Sequence, residues 1–516
     1  RRDGAPVRDP PARLRGAAAR RRPRAEPDPR GVPQGPPGPL HRPAPAAPAA
    51  TVPMHSTHDP RGPSAAAAPR GPACPPQQPI PPQRSASGPA GTRAFAGSPG
   101  PAAPAGAAAG EAQAGGAALE LAARAEALEG EFLARAAVES GFGGVFDPKQ
   151  RVVVAMSGGV DSSVVAWLLS RLGQPLVGLF MRNGVKLPAD ESQAAKKSCC
   201  SVNDARDARM VAAALGIPFQ AVDLSQEFAA VIRHFLSEYQ RGRTPNPCAI
   251  CNRDLKFDRL LDSARELGAV GVATGHYARL DRSQGRVRLR RGLDRHKDQS
   301  YQLFAVSEAN LACTRLPLGD FTKPEVRALA SRAGLRTAAK KDSQEICFVP
   351  GNDYRRLLDE AGVERHPGRI VDSAGRTLRE HAGIEDFTIG QRRGHGVGGT
   401  GEPLYVVELE PSTGTVVLGS REELCAAGLR TGPLNWIGID PPAGRELRAQ
   451  VQIRYHHHAA AATVEWDAGG ARVHFDEPQL AVAPGQGAAL YLDDRLIGGG
   501  WIESAERGPG TRPGGA

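Results

Sequence analysis

An unbroken apolar run followed at once by a glycine-serine turn limits the architecture of this chain more than any other feature. Arg151-Val-Val-Val-Ala-Met156 has the pattern of a strand covered on both faces. Ser157-Gly-Gly-Val-Asp-Ser-Ser163 follows, then a helix through Val164–Arg171, with Gly173 where a helix stop is expected. The unit repeats. Further strands are expected at Leu176–Met181, Phe219–Leu224 and Val270–Thr274, and helices at Asn203–Leu215, Gln226–Tyr239 and Leu255–Leu267. Strands alternating with helices predict an α/β segment over 150–350 built on a doubly wound parallel sheet. Thr322-Lys-Pro-Glu325 reads as a capping box opening a helix over Val326–Ala333.

The texture changes after Gly351. Residues 352–425 are glycine-rich with short apolar segments and read as a small α+β central domain. From Gly432 to 506 short alternating strands, with a turn at Asp467-Ala-Gly-Gly470, predict a C-terminal antiparallel β-barrel. At the other end an Ala/Leu/Glu helix is expected over Ala117–Ala137. Residues 1–116 are rich in Ala, Pro, Gly and Arg and too poor in large apolar residues to offset ordering entropy, so they read as a disordered tail. With Arg1 at its head and Met54 as its first methionine, the tail fits either a fragment or a misassigned start.

The formal charge of +10 belongs almost entirely to that tail, since residues 1–118 carry fifteen Arg and six acids. Nucleic-acid binding must therefore be argued from local patches. No run of eighteen apolar residues exists, so no membrane span is expected. The cysteines (Cys74, Cys199, Cys200, Cys248, Cys251, Cys313, Cys347 and Cys425) do not form a disulfide framework and point to a reducing compartment, the cytoplasm.

Between a buried strand and a helix, the Ser157 turn offers outward N–H groups to an anion. Gly158 and Gly159 allow close approach, Ser157, Ser162 and Ser163 add hydroxyls, and Asp161 is placed to hold Mg²⁺ against phosphates. The lysine of the Walker motif is missing. The turn instead resembles the PP-loop of the ATP pyrophosphatases, which cleave ATP between its α and β phosphates to activate a carbonyl.

Two thiols stand in polar, motif-like surroundings. Arg241-Gly-Arg-Thr-Pro-Asn-Pro-Cys248-Ala-Ile-Cys251-Asn252 begins as a stiff non-helical loop, with Cys251 close to the start of the helix expected at Leu255. The second is Lys341-Asp-Ser-Gln-Glu-Ile-Cys347. Cys248-x-x-Cys251 also has metal-ligand spacing. With Cys347 as a third ligand, zinc or an iron–sulfur cluster stays open as an alternative.

These motifs, with Gly275-His276-Tyr277 and Lys297-Asp-Gln-Ser-Tyr301, resemble those of the tRNA-specific 2-thiouridylases from Val152 to Ile502. The resemblance implies an ATP- and tRNA-using sulfurtransferase supplied by a sulfur-donor protein. It implies that Ala155, Met156, Ser157, Gly158, Gly159, Val160, Asp161 and Ser162 bind ATP, with Met181 and Gly275 beside the adenosine. It makes Cys347 the persulfide carrier and Cys251 its partner nucleophile. Asn246, Pro247 and Cys248 would lie by the target base. His276, Lys297, Asp298, Gln299, Arg454, Tyr455 and Gln486 would contact tRNA.

Arg286, Arg288, Arg290, Arg291, Arg295 and Lys297 read as a basic strip, and Arg392-Arg393 as another. His456-His457-His458 reads as a solvated run, because neighbouring strand residues face opposite sides. Two other functions compete. One is a PP-loop amide or amidine ligase acting on a small metabolite, which needs no paired thiols. The other is a non-enzymatic RNA- or metal-binding protein, which would release no pyrophosphate.

Overall fold

The structure, a computed structural model, describes residues 120, 123–134, 149–185, 202–283, 285–342, 346–349, 351, 353–398 and 401–507. The expected tail over 1–116, Cys74, Cys199 and Cys200 lie outside the described residues.

Residues 123–134 form helix α1, which buries Ala125, Leu128 and Phe132, a helical spacing that gives one apolar face. The first segment then runs β1 (Val152–Ala155), α2 (Val160–Arg171), β2 (Leu176–Arg182), α3 (Val202–Ala214), β3 (Phe219–Asp223), α4 (Ser225–Gln240), α5 (Pro247–Ile250), α6 (Leu260–Glu266), β4 (Val272–Ala273), β5 (Ala278–Asp281), β6 (Arg288–Arg291), α7 (Glu308–Ala312), β7 (Thr314–Arg315) and α8 (Lys323–Arg332). Among the described residues five strands pair in parallel in the order β3-β2-β1-β4-β7.

Strand alternation divides the core of this sheet. Val152, Val154 and Met156 join a cluster with α1, α2, α3 and α8 on one face. Val153 joins Leu260, Leu261 and Ala264 of α6 on the other. Both faces are covered, as the unbroken apolar run of β1 requires.

Two helix starts differ from expectation by a full turn or more, each for a local reason. Helix α2 opens at Val160 rather than Val164. Gly158, at φ +73°, turns the chain sharply enough for the helix to begin at once. The segment expected to stay irregular until Leu255 becomes helical at Pro247. The Asn246 side chain accepts the Ala249 N–H at 3.1 Å, and Pro247 occupies the first turn, where an N–H has no partner to lose. Residues Cys251–Arg259 continue as a π-helix before α6.

The central segment holds α9 (Tyr354–Glu360), β8 (Gly368–Asp372), β9 (Thr377–His381), β10 (Tyr405–Glu410) and β11 (Thr415–Gly419), with its strands ordered β10-β11-β8-β9. The last segment holds β12 (Cys425–Thr431), β13 (Asn435–Trp436), β14 (Glu446–Gln452), β15 (Ala460–Asp467), β16 (Gly470–Leu480), β17 (Gly487–Leu492) and β18 (Arg495–Glu506). Its strands follow the order β12-β16-β15-β14-β17-β18, and β18 pairs back onto β12, closing the expected antiparallel barrel. The β5–β6 hairpin of the first segment adds to the free side of β18, pairing Leu289 with Leu496. Among the described residues no helix is long and apolar enough to cross a membrane.

Candidate active site

The chain leaves β1 toward β2 on one side, while β4 lies on the other, so the strand order reverses at β1. In doubly wound sheets, ligands bind in the crevice at the carboxyl ends of such a pair. Ser157-Gly158-Gly159 follows β1 there, and Thr274-Gly275-His276 follows β4. The two loops touch: a Cβ on Gly275 would stand 3.0 Å from the Asp161 Cβ and 3.1 Å from the Ser162 nitrogen. The Ser157 N–H donates to Ser162 Oγ at 3.1 Å, and Ser163 Oγ donates to the Gly159 carbonyl at 2.8 Å. The Met156 and Val160 side chains are core residues, 2% and 3% exposed, so only their backbone can face a nucleotide. Ala155 and Met181 pack with Val153 on the α6 face.

Two lysines missed in the sequence complete this crevice. Lys323 Nζ reaches Asp161 at 2.7 and 2.8 Å and Asp342 at 2.9 Å, although its residue is only 7% exposed. Lys340 Nζ reaches the Gly158 carbonyl at 2.9 Å, Asp204 at 2.6 Å and Asp207 at 2.8 Å. Lys323 could have been suspected, because a cation in the first turn of a helix opposes the dipole and needs another reason to be there. Nothing local marks Lys340; its partners stand more than 130 positions away.

Burial raises the Asp342 carboxyl, but hydrogen bonds from Lys297 and Lys323 outweigh it and hold the group below its ordinary value. For Lys340, burial works against the charge, and the hydrogen bonds from its ammonium to Asp204 and Asp207 more than restore it. Burial and then the Asp161 charge push Tyr277 far up, so its hydroxyl stays protonated and donates to Asp161 at 2.8 Å. Asp161, expected to hold Mg²⁺, has both oxygens engaged by Lys323 and Tyr277. Among the described residues no group of three His, Cys, Asp or Glu side chains is arranged to hold a metal ion, Cys248, Cys251 and Cys347 included.

The two thiols meet one apolar cluster. Cys251 and Cys347, both half-buried, pack against a core that includes Phe228, Phe235, Ile250 and Phe348. Phe348, the residue after Cys347, stands edge-on to Phe228 and Phe235 at 5.6 and 5.2 Å between ring centres. Cys251 lies one turn inside a helical path that began at Pro247, so the exposed Cys248, not Cys251, occupies the first turn.

A polar chain joins this cluster to the crevice. Asn252 donates to the Gln302 carbonyl at 3.0 Å, which leaves its oxygen to accept from His276 Nε2 at 3.2 Å. His276 Nδ1 then accepts from the Thr274 hydroxyl at 2.8 Å. Burial, helped by Lys256, drives the His276 pKa well down, so the ring is neutral, as this pattern requires. Expected as a tRNA contact, His276 lies buried between Thr274, on the loop after β4, and Asn252, the residue after Cys251.

The other expected tRNA residues form the seam between the first segment and the barrel. Asn246 and Pro247 are buried helix starters. Gln486 donates to the carbonyls of Thr244 and Pro245 at 3.2 and 3.0 Å. Asp298 accepts from Arg291, the Gly292 N–H and Ser300. Gln299 accepts the Tyr277 N–H, and Lys297 pairs with Asp342 at 2.9 Å. Arg454 donates to the Leu480 carbonyl, and burial lowers its guanidinium pKa. Tyr455 lies against His456, 4.0 Å between ring centres.

Two sequence readings need correction. The basic strip is not a free cationic face: Arg286 pairs with Glu308 and Asp440, Arg290 with Asp494, Arg291 with Asp298 and Lys297 with Asp342. Those carboxylates lie elsewhere in the fold, so a charge count along β6 overstates what RNA could meet. The histidine run is only partly solvated. His456 and His458 are exposed, but His457 is 7% exposed, with its pKa pushed down to about 3 by burial and then by Arg454.

Three family models match in series: a tRNA methyl transferase HUP domain over 150–351, a tRNA methyl transferase PRC-barrel domain over 356–420 and an aminomethyltransferase beta-barrel domain over 426–502. The chain is 48% identical over 373 residues to the tRNA-specific 2-thiouridylase MnmA of Solibacter usitatus, covering 69% of this chain and all of that one. It is 49% identical to the protein of the same name from Geobacter metallireducens, covering 69% of this chain and 98% of its relative. Among solved structures, a U34-tRNA thiolase NcsA from Methanococcus maripaludis, with its [4Fe-4S] cluster, matches 46% of this chain and 73% of its own at 17% identity and a TM-score of 0.29, too weak a likeness to bear on chemistry.

Proposed function

The chain belongs to the family of tRNA-specific 2-thiouridylases, and from that premise we propose that it uses ATP to replace the 2-oxygen of the wobble uridine of tRNA with sulfur. The division of labour we infer gives ATP to residues 150–350 and shares the tRNA with the segments 352–425 and 432–506.

The uridine 2-carbonyl oxygen is a poor leaving group. In the proposed first step it attacks the α-phosphorus of ATP held at the Ser157 loop. A bond forms from oxygen to phosphorus, the α–β phosphoanhydride breaks, and pyrophosphate leaves. Backbone N–H groups of the loop face the phosphates, and Lys323 and Lys340, each paired with two carboxylates beside it, take the place of the missing Walker lysine only by exchanging a carboxylate for a phosphate oxygen.

The sulfur arrives on Cys347 as a persulfide from a donor protein. Its terminal sulfur ionises more readily than an ordinary thiol, adds to C2, and AMP departs with the original oxygen. Cys251 then attacks the Cys347 sulfur, breaking the sulfur–sulfur bond and leaving the transferred atom, with the bonding pair, on the base. The product is 2-thiouridine with a Cys251–Cys347 disulfide, which a reductant must reopen. Alternatively, Cys251 frees the sulfur as hydrosulfide before it attacks C2.

The observation that carries this reading is the convergence of two thiols, 96 positions apart in the chain, on one apolar cluster tied to the nucleotide crevice through Asn252 and His276. A small-metabolite ligase has no use for that pairing. The test is mass spectrometry of tRNA nucleosides after incubation with ATP and a persulfide source. Wild type should yield 2-thiouridine, and Cys347→Ala should yield none while still binding ATP. Thiolation retained by Cys347→Ala would end the assignment of that residue.

A further inference from the structure

We propose that the loop Arg392–Gly398 of the central segment, with Arg379 beside it, grips phosphates of the tRNA backbone; this rests on the tRNA reading above and adds a site outside the tRNA contacts that the resemblance implies.

The loop borders a surface cavity of about 350 Å³ lined in part by Arg392, Arg393, His395 and Glu402. Arg392 and Arg393 are exposed, and among the described residues neither guanidinium lies within ion-pair distance of a carboxylate. Arg379 reaches the same loop, donating to the Gly396 carbonyl at 3.2 Å, and it too lacks a carboxylate partner among the described residues. This sets the loop apart from the strip at β6 and just before it, where Arg286, Arg290 and Arg291 all have carboxylates. Glu402 offsets only part of the charge.

Two like charges on one loop, with a third on β9 beside it, repel each other, so something must hold the loop in shape. His395 does this from a buried position, donating from Nε2 to the Arg392 carbonyl at 2.9 Å and accepting the Val397 N–H on Nδ1 at 3.3 Å. Gln391 adds a second tie, donating to the Arg393 carbonyl at 2.9 Å and accepting the Thr388 N–H at 3.2 Å. The guanidinia are therefore presented on a fixed backbone, which lowers the ordering cost of binding.

The root of the loop leads to the thiols. Tyr354, whose hydroxyl is 3.4 Å from that of Thr388, stacks on Tyr239 with ring centres 4.2 Å apart. Tyr239 belongs to the cluster that carries Cys251 and Cys347. An RNA strand delivering a base to those thiols thus passes near a cationic loop anchored to the same cluster. Guanidinium forks suit phosphate oxygens, and several spread over an open surface suit a polyanion better than a single small anion.

The test measures unmodified tRNA binding to the full chain from 50 to 200 mM salt, by fluorescence anisotropy. Arg392→Ala/Arg393→Ala should weaken binding about tenfold or more at the low-salt end and lower the slope of log K against log salt by about 2, one per lost phosphate contact. ATP affinity without tRNA should not change. Arg392→Lys/Arg393→Lys should restore most of the slope, because charge rather than fold is at stake. An unchanged slope and affinity in the alanine variant would overturn the proposal, as would equal loss in both variants. Inorganic phosphate displacing tRNA no better than chloride at matched ionic strength is expected; selective displacement would point to a small-anion site and overturn the backbone reading. If wild type binds tRNA but never thiolates it, the proposed function fails while this site stands.

Discussion

His276 can accept from Thr274 and donate to Asn252 only while uncharged, and the fold enforces that by burying it. His457 is held neutral in the same way, down to about pH 3. Unfolded, both would take a proton near pH 6.5. Stability from their neutral forms is therefore complete above that pH. It drains as pH falls below it, because the unfolded chain binds protons that the folded chain refuses. Each such group contributes a slope of about 1.4 kcal/mol per pH unit. Half-exposed His366, raised by its hydrogen bond to Glu385, has the opposite sign, so its contribution holds at low pH and is lost as pH rises through its folded value. Urea unfolding between pH 7 and 5 should show wild type losing stability with acid and His457→Phe losing less; parallel curves would remove His457 from this account. His276→Ala should lower kcat by about tenfold to a hundredfold with ATP affinity kept, since a 1 Å misplacement of a reacting group can cost that much. Partial rescue by His276→Gln, which can still donate to Asn252, separates positioning from loss of fold.

At the scale of elements, the Ser157 loop, proposed to grip the nucleotide, is braced from behind. Glu129 of α1 accepts from Arg171 at the end of α2 and from Arg332 at the end of α8, at 2.9 and 3.0 Å. Helix α2 begins at the Ser157 loop, and the first residue of α8 is Lys323. Glu129→Ala should cost about 1 kcal/mol by urea unfolding, because both arginines stay partly solvated, and should weaken ATP binding measurably by calorimetry. The sequence signals most of these elements. Apolar runs mark β1 and β2, Thr322-Lys-Pro-Glu325 marks the start of α8, and alternation marks the barrel strands. What stays hidden has a shared cause. The Cys251–Arg259 π-helix has the same apolar spacing as an α-helix over so short a stretch, and Asn246-Pro247 looks like loop chemistry until its cap forms. Lys323 and Lys340 declare themselves only when Asp161 and Asp204 arrive from far along the chain. The thiols and the Ser157 turn carry local motifs and could be picked out, whereas the burial of His276 depends on what packs around it.

At the scale of the molecule, the first segment and the barrel are joined by more than contact. Strand β6 extends the barrel sheet through β18, Tyr301 donates to the Gly487 carbonyl, and Gln486 holds the chain just before Asn246. The loop that presents Cys248 and Cys251 is therefore set partly by the barrel, and loosening the seam should reach the chemistry. Neighbouring arginines on β6 separate this idea from a general charge effect. Arg291 is 15% exposed in its side chain, lies 3.6 Å from the Tyr491 ring centre, and pairs at 3.1 Å with Asp298, itself only 7% exposed. Removing it strands a buried carboxylate, a loss of about 3–5 kcal/mol. Arg290 points to the opposite face of the same strand, 42% exposed, and pairs with Asp494. Its removal should cost under about 1 kcal/mol. Arg291→Ala should thus lower the melting temperature clearly and slow thiolation, while Arg290→Ala does neither to a comparable degree. Asp298→Asn, which removes the stranded charge, should recover part of the loss in the Arg291→Ala background. Equal effects from the two arginines, or no recovery in the double variant, would mean the seam is held by strand pairing alone and that the barrel does not set the position of the thiols through this pair.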